Sequence, residues 1–409
     1  MDVVILGKGK SGKAAQNLLS QAGFNTFVYD DKEKTPIPSN PAFVVKSPGI
    51  PGTHHIIDRF KEKGIEIIGE VELGGKFLKG KVVCITGTNG KSTTTAFIYH
   101  ALSKLHKGKV FIGGNYGIPV CKFAQETDKN SISVIEISSF QIEDLKDFRC
   151  NISTILNITP DHLNRYKTFD AYVKTKLKLI KHTKGKVIIN KDDEQLKGRE
   201  YSKFLTFSMK EAGDIFFTGK EVVISNEKIP ANTFPISGYH NIQNIMASIL
   251  ICKEMGFSPG KFIKSIQDFK GLEHRLETVR VINGVTFIND SKSTNVDSLE
   301  KALLSFEKVI LIAGGKDKSI DFSPLKPLIK KRVKKLITIG ETAEALKSVF
   351  EKVTEAKICS SLKEAVVKAY ENATEDDIVL FSPGCSSFDM FKNFEERGKI
   401  FKLIVEELK

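Results

Sequence analysis

The 409-residue chain has a formal net charge of +13, from 62 Lys and Arg against 49 Asp and Glu, with 41% hydrophobic and 27% charged residues. That length predicts two or three domains, the balance suits a soluble globular protein, and no apolar run approaches a bilayer crossing. The lysines alternate with acids, as in Lys32-Glu33-Lys34 and Lys61-Glu62-Lys63, with no arginine–aromatic platform, so the charge argues against nucleic acid and suits either a heat-adapted surface or polyanionic substrates.

The six cysteines (Cys84, Cys121, Cys150, Cys252, Cys359 and Cys385) are scattered and form no Cys-x-x-Cys pair. The chain enters a strand at Asp2 without a basic-then-apolar leader. Both features predict a cytoplasmic protein without disulfides or structural zinc.

Strands and amphipathic helices alternate throughout, which predicts an α/β fold with largely parallel sheets. The first block reads strand Val3–Leu6, helix Lys13–Ala22, strand Thr26–Asp30, and strand Phe43–Lys46 running into Ser47-Pro48-Gly49. Between the first strand and helix stands Gly7-Lys8-Gly9-Lys10-Ser11-Gly12, a G-x-G-x-x-G, and Tyr29-Asp30-Asp31 supplies an acid at the spacing of a ribose ligand. A dehydrogenase fits this fingerprint. The block ends near residue 79, however, and half a dinucleotide fold suits one nucleotide diphosphate better than two.

The middle block begins with strand Val82–Thr86 and the turn Gly87-Thr88-Asn89-Gly90-Lys91-Ser92-Thr93, then a helix. Glycines let backbone N–H groups approach phosphate oxygens, and a helix N-terminus favours anions. Lys91 can reach the outer phosphates of a nucleoside triphosphate, and Ser92 or Thr93 can ligate magnesium. The full P-loop pattern wants a glycine at 85, where this chain has Ile85. Further strands are predicted near Val110–Gly113, Val134–Ile137, Ser153–Leu156 and Lys186–Ile189, with short β pieces at Ile215–Thr218 and Glu221–Ser225. Glu136 ends one strand where a carboxylate could hold Mg²⁺, and His162, in the polar loop Asn157–Tyr166, is a candidate ligand for a second ion. By composition, Tyr172–Lys178 reads as a solvated lysine-rich helix face. The helix near Asn241–Glu254 opens with amides, Asn241 and Asn244, suited to adenine or phosphate.

After Gly271, Arg275 could reach a phosphate on the neighbouring domain. Strands near Val285–Asn289, Val309–Ala313, Leu336–Ile339 and Ile378–Phe381 follow. Three of them run into polar loops, Asn289–Lys292, Gly314–Lys318 and Ser382–Ser387, and loops beyond the carboxyl ends of parallel strands are where ligands bind.

Taken together, these motifs resemble the Mur ligases, the ATP-dependent amide-forming enzymes of peptidoglycan precursor synthesis, over essentially the whole chain. The segments Asn289–Asn295 and Ser382–Gly398 are most similar to the D-glutamate-adding branch. The resemblance implies three domains: a half-Rossmann UDP-binding domain (1–79), a central P-loop-like ATPase domain (80–271) and a C-terminal Rossmann-like domain (272–409). It implies ATP contacts from Gly87–Thr93, Asn241, Asn244, Arg275 and Asp290, and UDP-sugar contacts from Lys10, Ser11, Asp30, Ser47, Gly49 and Asn115. Lys292, Thr294, Lys318, Ser387 and Phe394 fall at positions that hold or neighbour D-glutamate. Ser92, Glu136, His162 and Lys176 correspond to ligands for two Mg²⁺ ions, Lys176 as the carbamate that CO₂ forms on a lysine at that position. Lys91, His162, Lys176 and Arg275 are thus the expected catalytic set. One departure is Asp31-Lys32, where many relatives place threonine and arginine. The implied reaction joins D-glutamate to UDP-N-acetylmuramoyl-L-alanine with ATP, in a cytoplasmic monomer, with domain closure needed for chemistry. Rival readings are a folylpolyglutamate synthase-like ligase, a nucleotide-dependent scaffold and a dehydrogenase.

Overall fold

The computed structural model describes every residue except 32, 34, 199–202, 236–237, 318–320 and 409, and at 163–164 only the backbone. The chain divides into two compact units, Met1–Phe269 and Lys270–Lys409.

The first unit holds two sheets. One is a parallel four-stranded sheet of β1 (Asp2–Leu6), β2 (Asn25–Tyr29), β3 (Phe43–Lys46) and β4 (Ile67–Gly69), in the order β2-β1-β3-β4. Val3 to Leu6 are wholly buried, because helices cover both faces of a parallel strand and leave no solvated side. The helix Lys10–Gln21 turns Ala14, Ala15, Leu18 and Leu19 onto one such face at the i, i+4 spacing of an amphipathic helix.

The second sheet contains β5 (Lys81–Thr86), β6 (Val110–Gly114), β7 (Ile132–Glu136), β8 (Ile152–Ile155), β9 (Val187–Asn190), β10 (Phe204–Ser208), β11 (Ile215–Phe217), β12 (Glu221–Ile224) and β13 (Glu227–Pro230). Its order is β13-β12-β11-β10-β9-β8-β5-β7-β6, parallel from β6 to β11 with an antiparallel meander at the β13 edge. The helices Lys91–Leu105 and Tyr239–Glu254 pack on each other against this sheet.

Buried polar groups join the two sheets. The Glu72 carboxylate accepts from the backbone N–H groups of Lys146, Asp147 and Phe148 at 2.8–3.0 Å. Glu70 Oε1 accepts from Cys121 N at 2.7 Å, and Lys46 pairs with Asp144 at 2.7 Å. Arg165 spans the same junction, donating to Pro48 O and to Glu143 Oε2.

The second unit is one six-stranded sheet: β14 (Glu277–Ile282), β15 (Val285–Asn289), β16 (Val309–Gly314), β17 (Val333–Ile339), β18 (Ala356–Ile358) and β19 (Ile378–Phe381), ordered β14-β15-β19-β16-β17-β18. Only β14 runs antiparallel. Of the strands absent from the sequence reading, β13, β14 and β18 lie at sheet edges and are short, half-exposed or polar, so they lack the apolar runs of the central strands, whereas β10 is an interior strand whose short run Phe204–Ser208 is interrupted by Thr206 and half-exposed at its start. Among the described residues, no helix is long and apolar enough to cross a membrane.

Candidate active site

The strand β5 is buried from Val82 to its last residue, Thr86, and breaks at Gly87, so the turn Gly87–Gly90 lies at the carboxyl edge of the second sheet. Gly90 caps the following helix in the left-handed region (φ 81°), where a side chain would be strained. A Cβ there would also collide with Asn244 Oδ1, which brings the Asn241–Asn244 helix start directly onto the loop.

The loop is fixed from below by a residue that the sequence reading assigned no role, Asn157. Its carbonyl and side-chain oxygens accept from Thr88 N (2.9 Å) and Asn89 N (2.8 Å), and its amide donates to Asn89 O. The Thr88 hydroxyl bonds Thr159 O and lies 3.2 Å from the Tyr172 hydroxyl. These bonds leave the N–H groups at the start of helix Lys91–Leu105 as an anion cradle. Ser92 and Thr93 are buried there, and Lys91 Nζ donates to Gly87 O and Thr88 O.

Within the first unit, Glu136 and Lys176, expected as a metal ligand and a catalytic lysine, lie beside the cradle. Glu136 pairs in register with Ile85 of β5 and is 1% exposed. Its Oε1 accepts from Asn115 Nδ2 at 2.6 Å, and its Oε2, also buried, has no hydrogen-bond partner among the described residues. Asn115, expected at the UDP-sugar, therefore also orients this carboxylate. An orphaned buried carboxylate oxygen beside a hydroxyl-bearing anion cradle fits a hard divalent cation.

Lys176 overturns the compositional reading of Tyr172–Lys178 as a solvated face. Lys174 and Lys178 are exposed, but Tyr172, Thr175 and Lys176 are buried, because one side of helix Phe169–Lys181 packs beneath the phosphate loop. Lys176 Nζ donates to Gly87 O at 2.8 Å and sits over the Tyr172 ring at 4.7 Å. Burial, reinforced by the Lys91 charge, holds its ammonium well below the ordinary lysine range, against weaker pulls from Asp161 and Glu136.

His162 is exposed, with its ring near Phe140 (4.8 Å) and Tyr172 (6.4 Å) and its Nε2 3.6 Å from Asp161 Oδ2. Its φ of 54° is rare for a non-glycine residue and marks local strain of the kind stored at functional sites.

The expected UDP-sugar residues gather at the carboxyl edge of the first sheet: Lys10 and Ser11 after β1, Asp30 after β2, Ser47 and Gly49 after β3. With β2 and β3 on opposite sides of β1, this is a topological switch point. A Cβ on Gly12 would overlap the Gly7 carbonyl oxygen, whereas nothing lies within 4 Å of one on Gly9. The outer glycines of the fingerprint serve the fold, and the middle one faces open space.

In the second unit the three polar loops converge. Ser382 Oγ donates to Asp290 Oδ2 (2.8 Å), Gly314 N to Pro383 O, and Lys316 N to Ser386 O. Burial pushes the Asp290 carboxyl up to about 7, with Ser382 and Arg275 pulling the other way. Arg275 Nε is buried without a hydrogen-bond partner among the described residues, and His274 and Leu276 on either side of it have φ of 64° and 44°. Thr294 and Lys292 are half-buried, Ser387 is buried, and Lys292 Nζ stands 5.4 Å from the Phe394 ring. Lys318 lies outside the described residues. Arg397, a second residue without an assigned role, is 1% exposed and clamps the loops, donating to Ser291 Oγ (3.0 Å), Ser291 O (2.7 Å) and Cys385 O (3.1 Å).

A phosphate cradle, a buried carboxylate and a buried lysine on one unit, with a loaded loop edge on the other, are the parts of a nucleotide-using enzyme, and the comparisons with known proteins make it a ligase. The family descriptions "Mur ligase middle domain" and "Mur ligase, glutamate ligase domain" match residues 85–252 and 274–385. The UDP-N-acetylmuramoylalanine–D-glutamate ligase of Aquifex aeolicus is 39% identical, covering 99% of both chains. That of Caldicellulosiruptor saccharolyticus is 37% identical over 99% of this chain and 98% of the relative. The fold is that of UDP-N-acetylmuramate-alanine ligase MurC from Thermotoga maritima (TM-score 0.67, 19% identity, all of both chains) and of the ADP complex of MurF ligase from the same organism (TM-score 0.64, 18% identity, 99% and 95%). The chain belongs to the Mur ligase family, in its UDP-N-acetylmuramoylalanine–D-glutamate ligase branch.

Proposed function

We propose that this chain joins D-glutamate to UDP-N-acetylmuramoyl-L-alanine, converting ATP to ADP and phosphate in peptidoglycan precursor synthesis. The reading is carried by the full-length likeness to ligases of that name. Residues 1–79, 80–271 and 272–409 act as UDP-sugar, ATP and amino-acid domains of a cytoplasmic monomer.

The UDP-sugar is held by Lys10, Ser11, Asp30, Ser47 and Gly49, with Asn115 shared between substrate and Glu136. ATP phosphates lie on the Gly87–Thr93 cradle, where Lys91 exchanges its bonds to Gly87 O and Thr88 O for phosphate oxygens. The substrate carboxylate attacks the γ-phosphorus, ADP leaves, and an acyl phosphate results. Lys91 and Arg275 offset phosphoryl charge in that step. The D-glutamate amine then attacks the acyl carbon and phosphate leaves, with the amino acid held by Lys292, Thr294, Lys318, Ser387 and Phe394 and with Asp290 contacting the nucleotide.

Ser92, Glu136 and His162 would hold two Mg²⁺ ions, which neutralise phosphate charge when bound. Lys176 is the carbamate. Its burial favours the neutral amine that CO₂ requires, and carbamylation turns a repelling cation into an anion near Glu136 and Asp161.

Phosphate release measured with UDP-N-acetylmuramoyl-L-alanine and a panel of amino acids tests the assignment. Release that does not depend on D-glutamate would sink it.

A further inference from the structure

Outside these sites, Asp31, His54 and His55 bring three metal-binding donor atoms within 4.8 Å of one another. His54 Nε2 lies 3.1 and 3.0 Å from the two Asp31 oxygens. Two ligands bound at about 2.0–2.1 Å to one tetrahedral ion stand about 3.3 Å apart, so this gap needs little adjustment to become chelation. The His55 ring packs beside that of His54, 4.4 Å between centroids and 32° between planes, and adds a third donor.

We propose that Asp31, His54 and His55 form a binding site for a borderline transition-metal cation of the zinc class. Two imidazoles and a carboxylate are the donor set such ions select, whereas Mg²⁺ prefers an octahedron of oxygens. The helix His55–Glu62 holds the two imidazoles together, because His54 is its N-cap and His55 its first residue. At present His54 Nδ1 accepts from Ile56 N over 3.4 Å, so Nε2 carries the proton donated to Asp31. When Nε2 takes the metal, that proton moves to Nδ1; the long capping bond is lost, and the direct Nε2–H···Asp31 hydrogen bond is replaced by coordination of both groups to the ion. Asp31 is one residue from Asp30, so the cation would offset two adjacent acids at an edge read as a diphosphate pocket. That use rests on the proposed function; ion binding does not.

Calorimetric titration of Zn²⁺ into the full chain, with Mg²⁺ saturating to occupy the Glu136 region, tests the site. Visible absorption of added Co²⁺ reports ligand geometry in parallel. One site is expected, weakened at least roughly tenfold in both H55A and D31N and unchanged in H162A. H55A is the sharper variant, since it leaves the His54–Asp31 pair in place and His55 is exposed. Equal affinity in wild type, H55A and D31N would overturn the proposal, as would absence of zinc binding by the wild-type chain.

Discussion

Lys176 Nζ donates to the carbonyl oxygen of Gly87 at 2.8 Å, joining two residues 89 apart in sequence. A buried lysine thus helps set the conformation of the phosphate loop, and its burial favours the neutral amine. K176A should lower D-glutamate-dependent phosphate release by on the order of a hundredfold, by removing charge placed for the transition state. Assays in CO₂-depleted buffer should slow the wild type and recover on addition of bicarbonate. A wild-type rate indifferent to bicarbonate would remove the carbamate.

Glu70 gives the stability a pH dependence. Burial raises its carboxyl to about 7, and the N–H of Cys121 pulls only weakly the other way. Between its ordinary value near 4.5 and 7, the folded chain holds the proton more tightly than the unfolded one, so this group's contribution to stability falls as pH rises through that window. E70Q keeps an acceptor for Cys121 and stays neutral. Its stability relative to wild type should improve by up to on the order of 3 kcal/mol from pH 4.5 to above 7. Urea midpoints at both ends measure this, and parallel pH curves would contradict it.

Lys46, 2% exposed, pairs with Asp144, whose carboxyl burial still raises despite the lysine. K46A should cost about 3–5 kcal/mol, because it strands a buried acid, whereas K46M/D144L should recover most of that. Denaturant unfolding of both variants decides, and equal losses would refute the pairing argument.

The fingerprint glycines should separate fold from binding. G12A forces a methyl into the Gly7 carbonyl and should destabilise by about 1–3 kcal/mol. G9A, with open space and an ordinary φ of −68°, should fold as wild type and bind UDP-sugar more weakly. Thermal melts and UDP-sugar titrations distinguish the two effects.

R397K should raise KM for D-glutamate about tenfold while leaving those for ATP and UDP-sugar little changed, because a lysine cannot hold Ser291 and Cys385 together as the guanidinium fork does. Steady-state kinetics in each substrate would expose a general loss instead.

Much of this was legible in the sequence. Central strands such as β1, β5 and β16 are continuous apolar runs, and the glycine turns after them announce phosphate chemistry. The edge strands β14 and β18 were missed, since pairing along one side gives a weak pattern. Asn157 and Arg397 gave no signal of their roles, because each acts through backbone atoms of segments distant in sequence.

By itself, the sequence determined the α/β class, the phosphate loop, the fingerprint turn and the kinship that points to a ligase. These follow from residues adjacent along the chain, whose spacing fixes strand, turn and helix start. Tertiary structure alone decided which charged groups lose their water. Lys176 is buried while Lys174, two residues away, is exposed, and Glu70 is raised because packing, rather than composition, sets the local dielectric. The Asp31–His54–His55 cluster has the same origin, since only the fold brings the end of β2 to the start of a helix more than twenty residues later.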